Sequence, residues 1–161
     1  MPTDLTLAAI ALGTNLGERA HNLDLVVAHL AGLGEVCAVS AYLDTAPELY
    51  LPQPRFLNAA VLLRTALSPL ALLDALLAIE QVMGRTREGV PAKGPRVIDL
   101  DLLLYGDEVL TTPTLTLPHP ALHERRFVLA PLAEIGPELR HPLFNCTVGQ
   151  LLLELDAGLS R

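Results

Sequence analysis

Residues 93–105 read KGPRVIDLDLLLY, an apolar run that carries two aspartates, Asp99 and Asp101. The run has the length and composition of a β-strand, and successive side chains of a strand point to opposite faces. The two carboxylates therefore point to one face, whereas Leu100 and Leu102 point to the other. The segment predicts a strand with one face in an apolar core and the other face bearing paired negative charge.

The paired carboxylates need a partner, because like charges held side by side repel each other and a buried unpaired charge is costly. A shared cation is the usual remedy, and Mg²⁺ with phosphate oxygens commonly binds to paired carboxylates. Three arginines, Arg85, Arg87 and Arg96, precede the aspartates in the sequence. Guanidinium groups bind phosphate oxygens through parallel hydrogen bonds. Together these residues indicate phosphoryl-transfer chemistry on a nucleotide.

The distribution of charge argues against a nucleic-acid partner. The chain has a formal net charge of −7, yet five of its eleven Lys and Arg residues lie between Arg85 and Arg125. An acidic protein with one basic pocket suits a small polyanion better than a duplex.

Length and cysteine usage indicate the broad class of protein. With 161 residues the chain fits one domain, residues 1–161. Cys37 and Cys146 form neither a CxxC motif nor a disulfide framework, which favours a reducing cytoplasm. No apolar run reaches about 18 residues and no signal peptide begins the chain, so we expect a soluble protein without a membrane partner.

The hydrophobic pattern predicts two repeats of strand, helix and strand. A strand at Leu7–Leu12 is expected to end at the turn Gly13–Gly17, and apolar residues spaced as on a helix follow. The further elements are a strand at Val36–Leu43, a strand at Leu57–Thr65, a helix from Ser68-Pro69 to about Met83 with Leu70, Leu73, Leu76, Leu77 and Glu80 along it, and the aspartate-bearing strand. This order predicts an α+β fold, a ferredoxin-like βαββαβ sandwich with a mainly antiparallel sheet. Short C-terminal helices are expected near Phe127–Ile135 and Val148–Leu155.

Six short motifs occur in order along the chain: ALGTNLG at 11–17, TAP at 45–47, FLNAA at 56–60, EQVMGRTR at 80–87, GPRVIDLD at 94–101 and LPH at 117–119. With these motifs the chain resembles the 6-hydroxymethyl-7,8-dihydropterin pyrophosphokinase family of the folate pathway over nearly its whole length. The resemblance implies that a monomer binds ATP and the reduced pterin, transfers a pyrophosphoryl group to the hydroxymethyl group, and releases AMP.

The resemblance also implies roles for individual residues. Asp99 and Asp101 match positions that bind two Mg²⁺ ions with the ATP phosphates, and Arg85 and Arg96 match further catalytic positions. The expected ATP-binding residues are Glu80, Arg85, Arg87, Lys93, Arg96, Leu102, Thr116, His119 and Arg125. The matching pterin-binding positions are Thr45, Ala46, Phe56, Asn58, Asp99 and Phe127, with the two phenylalanines on either side of the flat ring.

The chain departs from the family pattern before Gly94. Ala92 and Lys93 stand where the family usually has a basic residue and often a tryptophan. Either Lys93 supplies the missing charge from the neighbouring position, or this loop follows a different path.

The residues also leave two other classes of function open. A two-metal nucleotidyltransferase uses an Asp-x-Asp strand, although its Gly-Ser turn normally lies shortly before the aspartates. A non-catalytic ligand-binding module could use the same sandwich without paired aspartates among arginines. The glycine-rich turn at 13–17 lacks the Lys-Ser/Thr of a Walker motif, so it predicts a structural turn beside the site.

Overall fold

A computed structural model describes residues 4–46, 55–84, 97–159 and 161. Its main sheet contains β1 (Thr6–Thr14), β2 (Glu35–Val39), β3 (Leu43–Thr45), β4 (Phe56–Thr65) and β5 (Asp99–Tyr105), with helices α1 (Arg19–Leu30) and α2 (Pro69–Val82) between them. The strands lie in the order β2–β4–β1–β5, β3 also pairs with β4, and every pair is antiparallel. The predicted βαββαβ order is confirmed.

The C-terminal part adds short elements around this sheet. They are β6 (Leu110–Thr111), β7 (Thr116–Leu117), a 3₁₀ turn (Leu122–Glu124), α3 (Arg126–Ile135), β8 (Arg140–His141), β9 (Cys146–Thr147) and α4 (Val148–Asp156). The two expected C-terminal helices are thus confirmed. The longest described helix, α2, has 14 residues, and no described helix is both long and apolar enough to cross a bilayer.

Both faces of the sheet are covered by a hydrophobic core. The first core lies under α1 and α2 and contains Leu12, Leu100 and Leu102. The second core lies under α3 and α4 and includes Leu129 and Leu151. Because side chains alternate along β5, the aspartates predicted to oppose Leu100 and Leu102 face the side of the sheet that α3 covers.

The chain between α1 and β4 forms two strands where the sequence predicted one. Ser40 follows β2, and its hydroxyl accepts a hydrogen bond from the Ala60 amide at 2.9 Å, while its own amide donates to the Ala60 carbonyl at 2.9 Å. A side-chain oxygen thus replaces a backbone carbonyl in the ladder. The predicted strand Val36–Leu43 is wrong in this respect, since it ends at Val39 and a separate β3 begins at Leu43.

Two further predictions differ from the structure in detail. The first strand continues through Gly13 to Thr14, so Gly13 belongs to the sheet and not to a turn. On α2, Leu70 and Leu77 of the predicted stripe are exposed, whereas Leu72 and Ile79 face the core. A helix with apolar residues on most sides does not reveal its buried face, because the periodicity is weak.

Two of the described helices begin at residues whose side chains cap them. The Ser68 side chain accepts a hydrogen bond from the Ala71 amide at 3.2 Å, and Pro69 occupies the first turn of α2. At the start of α4, Thr147 and Gln150 form a reciprocal capping box. These local bonds fix where α2 and α4 begin.

His141 is a buried histidine that the fold keeps neutral. Its side chain is 2% exposed, and its Nδ1 accepts hydrogen bonds from the amides of Leu143 and Phe144. Burial, with a smaller contribution from His123 and Arg161, lowers the pKa of His141 to about 4. The unfolded chain has an ordinary histidine there with a pKa near 6.5. Between these two values only the unfolded chain is protonated at this position.

We expect His141 to make the fold less stable in acid. Its contribution is fully present above about pH 6.5 and is lost as the pH falls toward 4, because protonation then favours the unfolded chain. His141→Gln keeps an acceptor for the two amides but cannot be protonated. Between pH 7 and pH 4.5 the wild type should therefore lose about 2 kcal/mol more unfolding free energy than this variant, measured by urea denaturation.

The matched control for this prediction is His21→Gln, which changes an exposed histidine on α1. It should follow the wild-type pH dependence. Equal pH dependence of wild type and His141→Gln would show that His141 is protonated in the folded protein at pH 4.5.

Candidate active site

The register of the three central strands places polar groups side by side at one end of the sheet. Gly13 of β1 pairs with Asn58 of β4 on one side and with Asp99 of β5 on the other, and Ala11 pairs with Asp101. Neighbouring strands lie about 4.8 Å apart, so Asn58 and Asp99 stand roughly 10 Å from each other across β1. Only small residues of β1 lie between them.

A cavity with a volume of about 460 Å³ lies over this end of the sheet. Strand residues form its floor, and α2 and the beginning of α3 contribute to its walls. Most predicted site residues of the described chain line it: Thr45, Ala46, Phe56, Asn58, Glu80, Asp99, Asp101, His119, Arg125 and Phe127. The structure therefore brings together residues that are up to 82 positions apart in the sequence.

Gly13 keeps the cavity floor open. A Cβ atom at this position would lie 3.1 Å from Asn58 Oδ1 and 4.0 Å from Phe56 Cδ1. The first distance is tighter than ordinary van der Waals contact, so any larger side chain would displace Asn58 or fill the space above β1. The glycine is required here for close approach.

The Asn58 amide has a defined orientation. This side chain is 7% exposed, and its Nδ2 donates a hydrogen bond to Thr45 Oγ1 at 2.7 Å. Its Oδ1 lies on the Gly13 side, toward the cavity floor. Asn58 thus presents an acceptor to the cavity while Thr45 holds its donor end.

Glu80 holds the strand between the two aspartates. It is 4% exposed, and its Oε2 accepts a hydrogen bond from the Leu100 amide at 2.8 Å. A carboxylate in a buried position is favourable only with hydrogen-bond donors around it. The contact between α2 and β5 therefore fixes the backbone from which Asp99 and Asp101 project.

His119 and Arg125 approach the cavity from the C-terminal part of the chain. The His119 amide donates to the Leu103 carbonyl at 2.9 Å, and its Nδ1 accepts from the Ala121 amide at 3.1 Å. In the neutral ring the proton is therefore on Nε2, which makes that atom a donor. The Arg125 guanidinium lies 5.9 Å from the centre of the Phe127 ring, within cation–π range.

Several cavity residues were not predicted from the sequence. They are Ala11, Gly13, Leu12, Leu73, Leu77, Leu100 and Val128. A signal existed for the first two, because small residues two positions apart on one strand leave space on one face. No comparable signal distinguishes Leu73, Leu77 and Val128 from core residues.

Other predicted positions lie away from the cavity or outside the described residues. Leu102 is 3% exposed in the first core, and Thr116 is exposed on β7; neither side chain lines the cavity. Arg85, Arg87, Lys93 and Arg96 lie outside the described residues. Their predicted roles stay predictions.

The sequence matches the profile of a family described as 7,8-dihydro-6-hydroxymethylpterin-pyrophosphokinase (HPPK) over residues 9–137. Curated relatives carry the name 2-amino-4-hydroxy-6-hydroxymethyldihydropteridine pyrophosphokinase. The chain is 43% identical to the one from Synechocystis sp. (92% of this chain, 76% of the relative) and 47% identical to the one from Bacillus subtilis (80% and 77%). It is also 43% identical to the one from Methylorubrum extorquens, over 98% of this chain and 99% of the relative.

Solved structures share the fold at lower identity. The wild-type Plasmodium falciparum HPPK-DHPS with pteroate matches with a TM-score of 0.77 and 17% identity, over 98% of this chain. The chain spans 43% of that longer solved chain. The family match and the close relatives agree with the geometry of the cavity, and the chain belongs to the 7,8-dihydro-6-hydroxymethylpterin-pyrophosphokinase family.

Proposed function

We propose that the cavity binds the reduced pterin and ATP on the two sides of Gly13, with Asp99 and Asp101 at the point where the two substrates meet. As a member of this family the chain transfers a pyrophosphoryl group from ATP to 6-hydroxymethyl-7,8-dihydropterin in folate biosynthesis. In this reaction the hydroxymethyl oxygen forms a bond to the β-phosphorus. The bond from that phosphorus to the α-phosphate oxygen breaks, and AMP leaves. The observation that supports the arrangement best is the pairing of Asn58, Gly13 and Asp99 on adjacent strands.

The pterin side of the proposed site is the part formed by β3 and β4. Thr45, Ala46, Phe56 and Asn58 line the cavity there, and Phe127 lines it from α3. A pterin ring is flat and apolar on its faces, so the aromatic side chains suit stacking. Its edge carries N–H donors, and Asn58 Oδ1 is an acceptor in a defined position.

The phosphate side of the proposed site lies near β5. His119 and Arg125 line the cavity there, and both present N–H donors that suit phosphate oxygens. The charge that develops on the transferred group spreads over several oxygens, and fixed donors stabilise it without rearranging. The predicted phosphate contacts of Arg85, Arg87, Lys93 and Arg96 would add to this set.

The aspartate pair fits Mg²⁺ bound together with ATP. Among the residues that the structure describes, no group of three or more His, Cys, Asp and Glu side chains could hold a metal ion. Two carboxylates alone suit Mg²⁺ that takes its remaining ligands from phosphate oxygens and water, which is how this ion commonly binds with nucleotides. When bound, Mg²⁺ neutralises charge on the phosphates and helps to align them. We infer that Asp99 and Asp101 hold it, and that Glu80 fixes the backbone between them.

We also infer that the chain forms one domain and works in a reducing cytoplasm. The one-domain inference is supported by α3 and α4, which pack with residues of β1, β4 and β5 in the second core. The inference on the compartment is supported by Cys37 and Cys146, which are both free thiols.

The reaction itself is tested by the products that form from ATP. The protein should convert ATP to AMP only when reduced hydroxymethylpterin is present, in equal amounts with the pterin diphosphate, measured by chromatography. ATP without pterin is the control and should stay intact. Release of pyrophosphate would indicate a nucleotidyltransferase, and binding without turnover would indicate a ligand-binding module.

We expect the aspartates to be essential for turnover but not for folding. Asp99→Asn and Asp101→Asn should each leave less than about a tenth of wild-type turnover in saturating Mg²⁺, a loss of more than about 1.4 kcal/mol of transition-state stabilisation. Both should stay folded in a thermal melt, because neither side chain belongs to the apolar cores.

The matched control for the aspartates is Asp107→Asn, in the exposed turn beyond β5. It should keep wild-type turnover. Calorimetric titration of Mg²⁺ in the presence of an ATP analogue gives a second measurement, in which only the Asp99 and Asp101 variants should lose metal binding. If either aspartate variant keeps more than about a tenth of wild-type turnover, that residue is excluded from the metal site.

We expect Gly13→Val to block the pterin and spare the fold. The new side chain would project into the cavity beside Asn58, whereas β-branched residues are well suited to strands. Pterin affinity should fall at least about tenfold, since the ring would lose its place over β1. Calorimetry with each substrate and a thermal melt check this, and a variant with normal pterin affinity would contradict the proposed position of the ring.

A further inference from the structure

A cluster of three charged residues joins the ends of β3 and β4 beside the cavity. We call Arg19, Asp44 and Arg55 the clasp. Arg55 Nε donates to Asp44 Oδ1 at 2.9 Å, and Arg19 Nη2 donates to Asp44 Oδ2 at 3.4 Å. None of the three side chains lines the cavity.

The clasp also binds the backbone of both strands. Arg19 Nη1 donates to the Arg55 carbonyl oxygen at 2.9 Å, and Arg55 Nη2 donates to the Asp44 carbonyl oxygen at 3.3 Å. These two carbonyls lie next to Thr45 and Phe56, which form the last pair of the ladder between β3 and β4. The guanidinium groups therefore hold the strand ends where backbone pairing stops.

β3 needs such support because it has only three residues. A strand this short forms few backbone hydrogen bonds and is weakly held by them alone. A second contact with α1 precedes it, since the Tyr42 hydroxyl donates to Asp24 Oδ1 at 2.5 Å. Burial, together with this bond, raises the pKa of Tyr42 to about 12, so the hydroxyl keeps its proton at neutral pH.

The two faces of β3 lie against different parts of the protein. Asp44 pairs with Leu57, whose side chain packs against the first core, whereas Thr45 pairs with Phe56 on the cavity side. The hydrogen bonds of Arg19, and then of Arg55, hold the pKa of Asp44 below its ordinary value, so its carboxylate stays ionised and bonded. A charge on the face of β3 opposite the cavity thus fixes the backbone next to Thr45, which faces the cavity.

We propose that the clasp positions the pterin pocket, with Asp44 holding β3 so that the Thr45 hydroxyl orients the Asn58 amide. This inference rests on the proposed pterin pocket. If β3 shifts, the 2.7 Å bond between Thr45 and Asn58 weakens, and the amide no longer presents Oδ1 to the ring. Asp44 is a positioning residue that acts through Thr45 and does not touch the substrate.

The effect should appear in substrate affinity more than in stability. Exposed ion pairs contribute little to the stability of a fold, and the side chains of Asp44 and Arg55 are 48% and 58% exposed. A binding pocket is more sensitive, because a small displacement of a group that orients the substrate lowers affinity and rate markedly. A stability measurement alone would therefore overlook the clasp.

Asp44→Asn tests the proposal, because it removes the charge with little change in volume. We expect its KM for the pterin to rise roughly 3- to 10-fold while its KM for ATP changes less than about twofold. The melting temperature should stay within about 2 °C of wild type. The matched control is Glu35→Gln, which removes another exposed ion pair of this sheet, Glu35 with Arg64 at 3.3 Å, at the end away from the cavity. It should change neither KM.

Two further measurements distinguish a charged clasp from a merely structural contact. The pterin carries no phosphate, so with the ATP analogue saturating at every salt concentration the salt dependence of pterin affinity reports on the protein. Wild-type pterin affinity, with an ATP analogue bound, should weaken between about 0.05 and 0.5 M NaCl, and Asp44→Asn should lack most of this dependence. Arg55→Gln should weaken pterin binding as well, and the double variant should be no worse than Asp44→Asn, since residues that act as one unit are not additive.

The outcomes distinguish a failure of the clasp proposal from a failure of the proposed pterin pocket, on which it rests. Asn58→Ala should weaken pterin binding more than ATP binding; if it does and Asp44→Asn behaves like Glu35→Gln, the clasp is overturned and the pocket stands. Normal pterin affinity in Asn58→Ala would overturn the pocket and this inference with it. An equal rise of both KM values with a lower melting temperature in Asp44→Asn would show a general structural role and overturn the proposal.

Discussion

β1 is paired along its length with β4 on one side and with β5 on the other, and the register of these two ladders determines the rest of the structure. The same alternation that buries Ile10 and Leu12 in the first core turns Ala11 and Gly13 toward the cavity. A slip of one residue would reverse both faces of β1 and put large apolar side chains where Ala11 and Gly13 now lie. Burial of the apolar side chains therefore determines the register, and the register determines which residues face the cavity.

The second core explains how distant parts of the chain reach the cavity. α3 packs on the face of the sheet that carries the aspartates, and it brings Phe127 and, at its start, Arg125 to the cavity wall. His119 is held against β5 by the bond from its amide to the Leu103 carbonyl. Basic groups thus meet the acidic strand through packing, although the protein as a whole is acidic.

The two halves of the site are built on strands that are held with unequal strength. β5 is held by the long ladder with β1 and by the Glu80 carboxylate from α2, which suits residues that must carry metal and phosphate. β3 pairs over only three residues, and the proposed clasp of Arg19, Asp44 and Arg55 compensates for the short ladder. In this view the pterin pocket depends on exposed charges, and the backbone that carries the aspartates depends on buried contacts.

The sequence by itself determined the order of the elements, the side of β5 on which Asp99 and Asp101 lie, the capped start of α2 and the family. These features depend on local alternation, on caps and on short motifs, all of which are read from neighbouring residues. Only the tertiary structure decided that Gly13 lies between Asn58 and Asp99, that Ser40 divides the second strand, and that Leu77 is exposed while Leu72 is buried. These features depend on which strands pair, in which register, and on which helix face meets the sheet. Such pairings join residues far apart in the chain, and no local pattern specifies them.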